Sequence, residues 1–124
     1  MTTVEPNDTL NVAGELSLWT RAEGDAVVVT VRGEIDIASA PTLRDLLLGL
    51  IGDGCRKVIV DMCGVTFLDS SGLAALVAAR TASRKHNSSL RLVGVAGGPA
   101  KVLEITGLSQ VFRVWDTVED ALTM

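Results

Sequence analysis

The residues best suited to chemistry form one short string, Asp69-Ser70-Ser71-Gly72, at the predicted start of a helix. A serine hydroxyl at such a position can accept phosphate from a kinase, because free backbone N–H groups and the positive end of the helix dipole tolerate the added charge. Asp and Ser are also common helix caps, with Asp69 or Ser70 as the expected cap here. The string alone therefore fits both a structural and a regulatory role.

The helix that follows the string favours the regulatory role. From Gly72 to Ala79 no side chain is polar on any face of the predicted helix. A helix that covers one side of a sheet normally presents a polar face to water. An apolar surface all round indicates burial on both sides or an exposed patch that a partner covers. In so small a domain we expect the partner, with the two serines beside the patch and within reach of a kinase.

Other kinds of chemistry have little support. The sequence contains no GxSxG elbow, no GxxxxGK[ST] loop and no GxGxxG fingerprint. His86 lies between Lys85 and Asn87, which indicates a solvated side chain. Cys55 and Cys63 flank an apolar strand and lack the spacing of metal ligands, so we expect them to pack as small apolar residues. We therefore predict no enzyme, no metal, no cofactor and no small-molecule substrate.

Composition narrows the class of protein further. The chain has 124 residues, of which 48% are hydrophobic and 3% aromatic, as expected for one domain with an aliphatic core. Its net charge of −4 is confined to the first 25 residues, and no basic stripe with stacking aromatics points to nucleic acid. No apolar run is long enough to cross a membrane, and the polar N-terminus is unlike a signal peptide. We expect a cytoplasmic protein with no membrane contact.

Apolar periodicity predicts an α/β domain with a largely parallel sheet, since strands alternate with helices. Residues 1–14 are predicted to be a flexible acidic tail and residues 15–124 the domain. Ser39 and Pro41 are expected to begin the first helix, and Asp116 with Glu119 to form a capping box for the last. The predicted strands are 15–20, 27–31, 57–60, 90–95 and 111–114, and the predicted helices begin near residues 39, 70, 97 and 116.

Three segments together resemble a known family. They are Gly33-Glu34-Ile35-Asp36, the strand Val58-Ile59-Val60-Asp61, and Phe67-Leu68-Asp69-Ser70-Ser71-Gly72-Leu73. In this order and at these distances they closely resemble bacterial anti-sigma factor antagonists of the STAS domain class, over roughly residue 15 to the C-terminus. The resemblance implies a STAS-like fold, a mixed and largely parallel sheet with helices packed mainly on one face.

The resemblance also implies a function. The unphosphorylated protein would bind an anti-sigma factor that is itself a serine kinase, and so release a sigma factor. Phosphorylation of Ser71 would switch the protein off, and a serine phosphatase would reset it. The surface that meets the partner is expected near the phosphoacceptor, although Asp36 equally suits a purely local role in a turn. The partner-binding residues expected from the resemblance are Asp36, Asp69, Ser70, Gly72, Leu73 and Leu76.

Two alternatives stay open at this point. Asp61 follows an apolar strand as the phosphoacceptor aspartate of a receiver domain would, but Glu34 and Asp36 are separated by Ile35 rather than adjacent, and Arg113 stands in the late strand where a lysine is needed. The second alternative is a STAS scaffold or transport-complex subunit without a sigma cycle. The Asp-Ser-Ser-Gly string favours the switch, because a scaffold needs no phosphoacceptor.

Overall fold

The computed structural model describes residues 9–124, and a single six-stranded sheet forms its centre. A short 3₁₀ turn at Leu108–Gln110 precedes the last strand. The strands are β1 (Thr9–Ala13), β2 (Leu16–Glu23), β3 (Ala26–Ile35), β4 (Lys57–Leu68), β5 (Ser89–Val93) and β6 (Arg113–Trp115), and the helices are α1 (Ala40–Gly52), α2 (Ser70–Lys85), α3 (Gly97–Ile105) and α4 (Val118–Thr123).

The strands lie in the sheet in the order in which they occur in the chain. β1, β2 and β3 pair antiparallel, whereas β3, β4, β5 and β6 pair parallel. Each parallel pairing requires a crossover, and α1, α2 and α3 supply the three crossovers. Because all three crossovers advance in one direction with the same handedness, their helices cover the same face of the sheet. The predicted fold class, α/β with helices mainly on one face, is confirmed.

Alternating side chains divide the core into two layers. The larger layer lies under α1, α2 and α3, and α1 contributes Leu43, Leu47 and Ile51 at intervals of one helical turn. The smaller layer lies under α4 on the opposite face, where Ala121 packs among strand side chains. The strand residues of the larger layer include Leu16, Leu18, Val29, Val31, Val58, Val60, Leu90 and Leu92, and those of the smaller one are Ala26, Val28, Ile59 and Val93.

α4 is held on its face by polar contacts as well as by packing. The Lys57 ammonium donates to the carbonyl oxygen of Leu122 at 2.8 Å, and the Arg91 guanidinium donates to that of Ala121. Arg91 and Arg113 each place a guanidinium 4.9 Å from the ring centre of Trp115. Burial, and then the charge of Arg113, lower the pKa of Arg91.

Several predicted boundaries differ from those observed. Residues 9–13, placed in the flexible tail, form β1 and pair with β2, while residues 1–8 of that tail lie outside the described part of the chain. β4 runs on to Leu68 rather than ending near residue 60. The last helix is capped by Thr117, whose hydroxyl accepts the Asp120 N–H at 3.1 Å, so the capping box expected at Asp116 is wrong by one residue.

Candidate functional site

Two turns meet at the carboxyl ends of β3 and β4. Ile35 and Leu68 are partners in the parallel register, so the residues that follow them, Asp36 and Asp69, leave the sheet side by side. The backbone N–H of Asp69 donates to the carbonyl oxygen of Ile35 at 3.2 Å, which ties the second turn to the end of the neighbouring strand. The fold therefore brings together the ends of two of the three segments that carried the family resemblance.

Asp69 is the cap of α2. Its carboxylate accepts the backbone N–H groups of Ser71 at 2.9 Å and Gly72 at 3.1 Å, and its carbonyl oxygen accepts that of Leu73 at 2.9 Å. This arrangement fixes the first turn of the helix, because it satisfies donors that no helical carbonyl can reach. Ser70 is exposed and Ser71 is half-buried. Of the two caps considered from the sequence, Asp69 is the one observed.

Asp36 organises the other turn. Its carboxylate accepts the backbone N–H groups of Ala38 and Ser39, both at 3.0 Å, and lies 3.1 Å from the Ser39 hydroxyl. Hydrogen bonds from the backbone and then the side chain of Ser39 lower the pKa of Asp36. Ser39 stands at the start of α1 as predicted, but its hydroxyl donates back to the carbonyl oxygen of Glu34 at 2.9 Å instead of capping the helix. The local role considered for Asp36 is thus present in the structure.

A groove of about 300 Å³ runs between α1 and α2 and includes Ser71 in its wall. Each wall of the groove consists of residues spaced mostly three or four apart, which lie on one face of a helix. Its lining is apolar apart from Ser71 and Arg44, neither of which is fully buried. The lining residues are Ile37, Ala40, Pro41 and Arg44 on the α1 side and Ser71, Ala74, Ala75 and Ala78 on the α2 side.

Gly72 is a packing residue at the base of this site. A Cβ atom at Gly72 would lie 2.5 Å from Cδ1 of Leu68 and 2.6 Å from Cγ2 of Ile35. Only glycine lets the first turn of α2 come this close to the ends of both β3 and β4. The predicted partner contact at Gly72 is therefore replaced by an internal role, which is to hold Ser71 at its place beside the groove.

Leu76 was expected to contact the partner, and that expectation is wrong. Its side chain is 0% exposed and packs in the main core. Leu73 is half-buried and also packs against the core. The apolar helix is explained by burial on its sheet side together with small apolar residues on its outer side, where Ala74 is exposed and Val77 is 37% exposed. A single apolar run cannot show which of its residues point inward.

Two site residues were missed by the sequence analysis. Ile37 is 78% exposed at the mouth of the groove, and the Arg44 side chain is 49% exposed. The sequence contains a signal for them, because Ile37, Pro41 and Arg44 recur at helical spacing. That signal needs the knowledge that α1 packs against α2, which no local pattern supplies.

The receiver-domain alternative does not fit the geometry. Asp61 lies in the middle of β4 and not at its end, and its carboxylate accepts the backbone N–H of Cys63 at 3.1 Å. A receiver needs its aspartate at the carboxyl edge of the sheet among other acidic groups, and that edge is occupied here by the two turns described above. Within residues 9–124, no helix is both long and apolar enough to span a membrane.

Comparisons with known proteins agree with this fold. A family model described as the STAS domain matches residues 18–121. The chain is 30% identical over 104 residues to an anti-sigma-B factor antagonist of Staphylococcus aureus, which covers 84% of this chain and 96% of that protein. Among solved structures, it is similar to an anti-sigma factor antagonist from Mycobacterium paratuberculosis, with a TM-score of 0.79, 26% identity, and coverage of 98% and 97% of the two chains.

A second solved structure supports the fold alone. A putative anti-sigma factor antagonist from Thermotoga maritima superposes with a TM-score of 0.78 at 20% identity, covering 83% of this chain and 89% of that one. Both solved structures share the overall fold of this chain.

Proposed function

The chain belongs to the STAS domain family, alongside relatives that are anti-sigma factor antagonists, and we propose that it is an antagonist of this kind. In the proposed cycle the unphosphorylated form binds an anti-sigma factor with serine kinase activity, which releases a sigma factor in the cytoplasm. The kinase phosphorylates Ser71 and thereby ends its own inhibition. A serine phosphatase restores the binding form. The chain itself is a substrate and a ligand in this cycle, with no catalytic step of its own.

The observation that carries this proposal is the placement of Ser71. Its backbone is fixed by the carboxylate of Asp69, while its side chain faces a groove that is open to a partner. A kinase needs a hydroxyl that is both reachable and held in a defined position, because a misplaced acceptor loses much of the rate. Asp69 and Gly72 supply the position, and the groove supplies the access.

The proposed docking patch consists of Ile37, Ser70, Ser71, Ala74 and Val77. All five are partly or fully exposed, and Ile37, Ala74 and Val77 are apolar. Arg44 is the one charged residue in the lining of the adjoining groove. Small and aliphatic side chains on adjoining helix surfaces suit a partner that inserts an apolar residue between them. Asp36 and Asp69 belong to the site as the groups that shape its two turns.

Phosphorylation would act on this patch through charge. A phosphate adds roughly −1.5 to −2 charges at neutral pH, and docking would remove that charge from water beside apolar side chains. Burying an unpaired ion costs several kcal/mol, and about 1.4 kcal/mol already corresponds to a tenfold change in affinity. We therefore expect the phosphorylated form to bind its partner at least about tenfold more weakly.

The proposal is tested by asking which of the organism's anti-sigma factors binds the unphosphorylated chain. The expected partner is an anti-sigma factor that resembles histidine-kinase ATPases. Each purified candidate is mixed with the chain, ATP and Mg²⁺, and binding and serine labelling are measured together. A reaction without the candidate kinase serves as the control and should leave the chain unlabelled. If no anti-sigma factor binds the chain, the proposed cycle is wrong, and the alternative of a STAS scaffold or transport-complex subunit is favoured.

A further inference from the structure

We infer that Arg44 receives the phosphate of phosphorylated Ser71 within this chain, so that α1 and α2 are bridged across the groove. This inference rests on Ser71 being the phosphorylated residue of the proposed function. It concerns what the phosphate does inside the domain, before any partner is considered. It is supported by the occupied N–H donors at the start of α2, by the lining of the groove and by the weak present contact of Arg44.

The start of α2 is poorly suited to receive the phosphate unaided. The backbone N–H groups of Ser71 and Gly72 already donate to the Asp69 carboxylate, and the N–H of Leu73 donates to the Asp69 carbonyl oxygen. These N–H donors, which would otherwise bind an anion at the start of a helix, are therefore occupied. A phosphate on Ser71 would also stand close to the negative charge of Asp69, and like charges at short range repel. A cation is needed to offset this repulsion.

The lining of the groove offers one cation. Arg44 is the single charged residue among the eight that line it, and the other residues apart from Ser71 are apolar. The first basic residue of α2, Arg80, lies about two and a half helical turns from Ser71. It lines a different groove beside Arg84 and Phe112. A guanidinium presents two parallel N–H donors that match two phosphate oxygens, which makes arginine the usual partner of a phosphorylated side chain.

Arg44 is free to change partner at little cost. Its Nε and one terminal nitrogen approach Asp45 Oδ1 at 3.4 and 3.3 Å, and the two side chains are 49% and 71% exposed. An exposed pair of this length contributes little to stability. A phosphate carries more charge than a carboxylate and, next to the apolar wall, is less well screened by water. The guanidinium would therefore exchange Asp45 for the phosphate.

This pairing adds a second effect to the proposed switch. The bridge from Arg44 to Ser71 would occupy part of the groove that these two residues line, which is where a partner side chain would enter. Phosphorylation would then fill the groove as well as charge it. The charge itself would be partly neutralised, so the domain would keep its stability while it loses its docking surface.

The test is a phosphorus-31 NMR titration of protein carrying phosphoserine at position 71, installed by chemical ligation or genetic encoding. No kinase and no partner take part, so a failure of the proposed cycle leaves this measurement valid. The second pKa of phosphoserine is about 6, and a bound guanidinium lowers it. The charged groups on the elements around the groove are Arg44, which lines it, Asp45 beside Arg44, and Asp36 and Asp69 in the two turns.

We expect the Arg44→Gln variant to titrate with a phosphate pKa higher than that of the wild type by about half a unit or more. Arg44→Lys should recover part of the difference, because it restores charge without the bidentate geometry. Arg80→Gln is the matched control and should titrate like the wild type. Equal phosphate pKa values in the wild type and Arg44→Gln, with both proteins folded by thermal unfolding, would overturn the inference and leave the assignment of Ser71 intact.

Discussion

The turns after β3 and β4 have similar backbone hydrogen bonds, but they place a serine in different surroundings. In each turn an aspartate carboxylate accepts two backbone N–H groups, from Ala38 and Ser39 after β3 and from Ser71 and Gly72 after β4. The Ser39 hydroxyl is buried and donates to the Glu34 carbonyl oxygen. Over residues 9–124 the structure gives the Ser71 hydroxyl no hydrogen-bond partner, and the side chain faces the groove.

The comparison shows that the aspartate of each turn has a structural role, whether or not a serine of that turn is a phosphoacceptor. Both aspartates do the same work on the backbone, so the acidic residue does not mark the phosphoacceptor. What distinguishes Ser71 is its surroundings, because its side chain lines the groove between α1 and α2 whereas Ser39 is buried.

The largest effect is expected from Ser71→Ala, which should abolish phosphate transfer from the cognate kinase while partner binding persists. Only a hydroxyl is lost, and the Asp69 bonds to backbone N–H groups remain. Ser39→Ala is the matched control and should be labelled fully, although the loss of its hydrogen bonds with Glu34 and the Asp36 N–H costs about 1–3 kcal/mol of stability. Ser70→Ala should also be labelled. Autoradiography of the three variants checks this, and undiminished labelling of Ser71→Ala would move the acceptor elsewhere.

The next effect concerns the glycine that positions Ser71. Gly72→Ala should lower the free energy of unfolding by about 1–3 kcal/mol, because its Cβ has no room between Leu68 and Ile35. Gly49→Ala in α1 is the matched control, since a Cβ there meets nothing within 4 Å and alanine favours the helix by roughly 0.5–1 kcal/mol. Urea denaturation of both variants measures the difference. Equal stability of the two would show that the start of α2 is loosely packed.

The smallest effect is a pH dependence at the first turn. The folded-state pKa of Asp36 lies below the ordinary value of 3.8, so its carboxylate stabilises the fold above that pH. The contribution should decrease as the pH falls from about 3.8 through the lower folded-state pKa. Melting temperatures of wild type and Asp36→Asn should therefore differ more at pH 7 than at about pH 3. A difference that is constant with pH would mean that the carboxylate charge is not what holds this turn.

Local sequence patterns were sufficient to predict most of the strands and helices of the fold. Runs such as Val27–Val31 and helical spacings such as Leu43, Leu47 and Ile51 are set by burial, which the sequence records directly. β1 escaped prediction because its strand character depends on pairing with β2 rather than on its own composition. The end of β4 was missed because Asp61 and then Gly64 interrupt the apolar run after Val60.

The site was predictable only where one segment carries it. Asp69, Ser70 and Ser71 are consecutive, and their string is recognisable without knowledge of the fold. Ile37 and Arg44 join them through packing of α1 against α2, which is a contact between distant parts of the chain. Leu76 was misassigned because an apolar helix does not reveal which side is buried.

The measurement that tests the central claim most directly is calorimetric titration of the cognate anti-sigma factor with the chain in two forms, unphosphorylated and phosphorylated on Ser71. Thermal unfolding of both forms serves as the control for folding. We predict that the affinity falls by at least about tenfold on phosphorylation while the melting temperature changes by no more than a few degrees. An unchanged affinity would contradict the account, because Ser71 would then not be the switch.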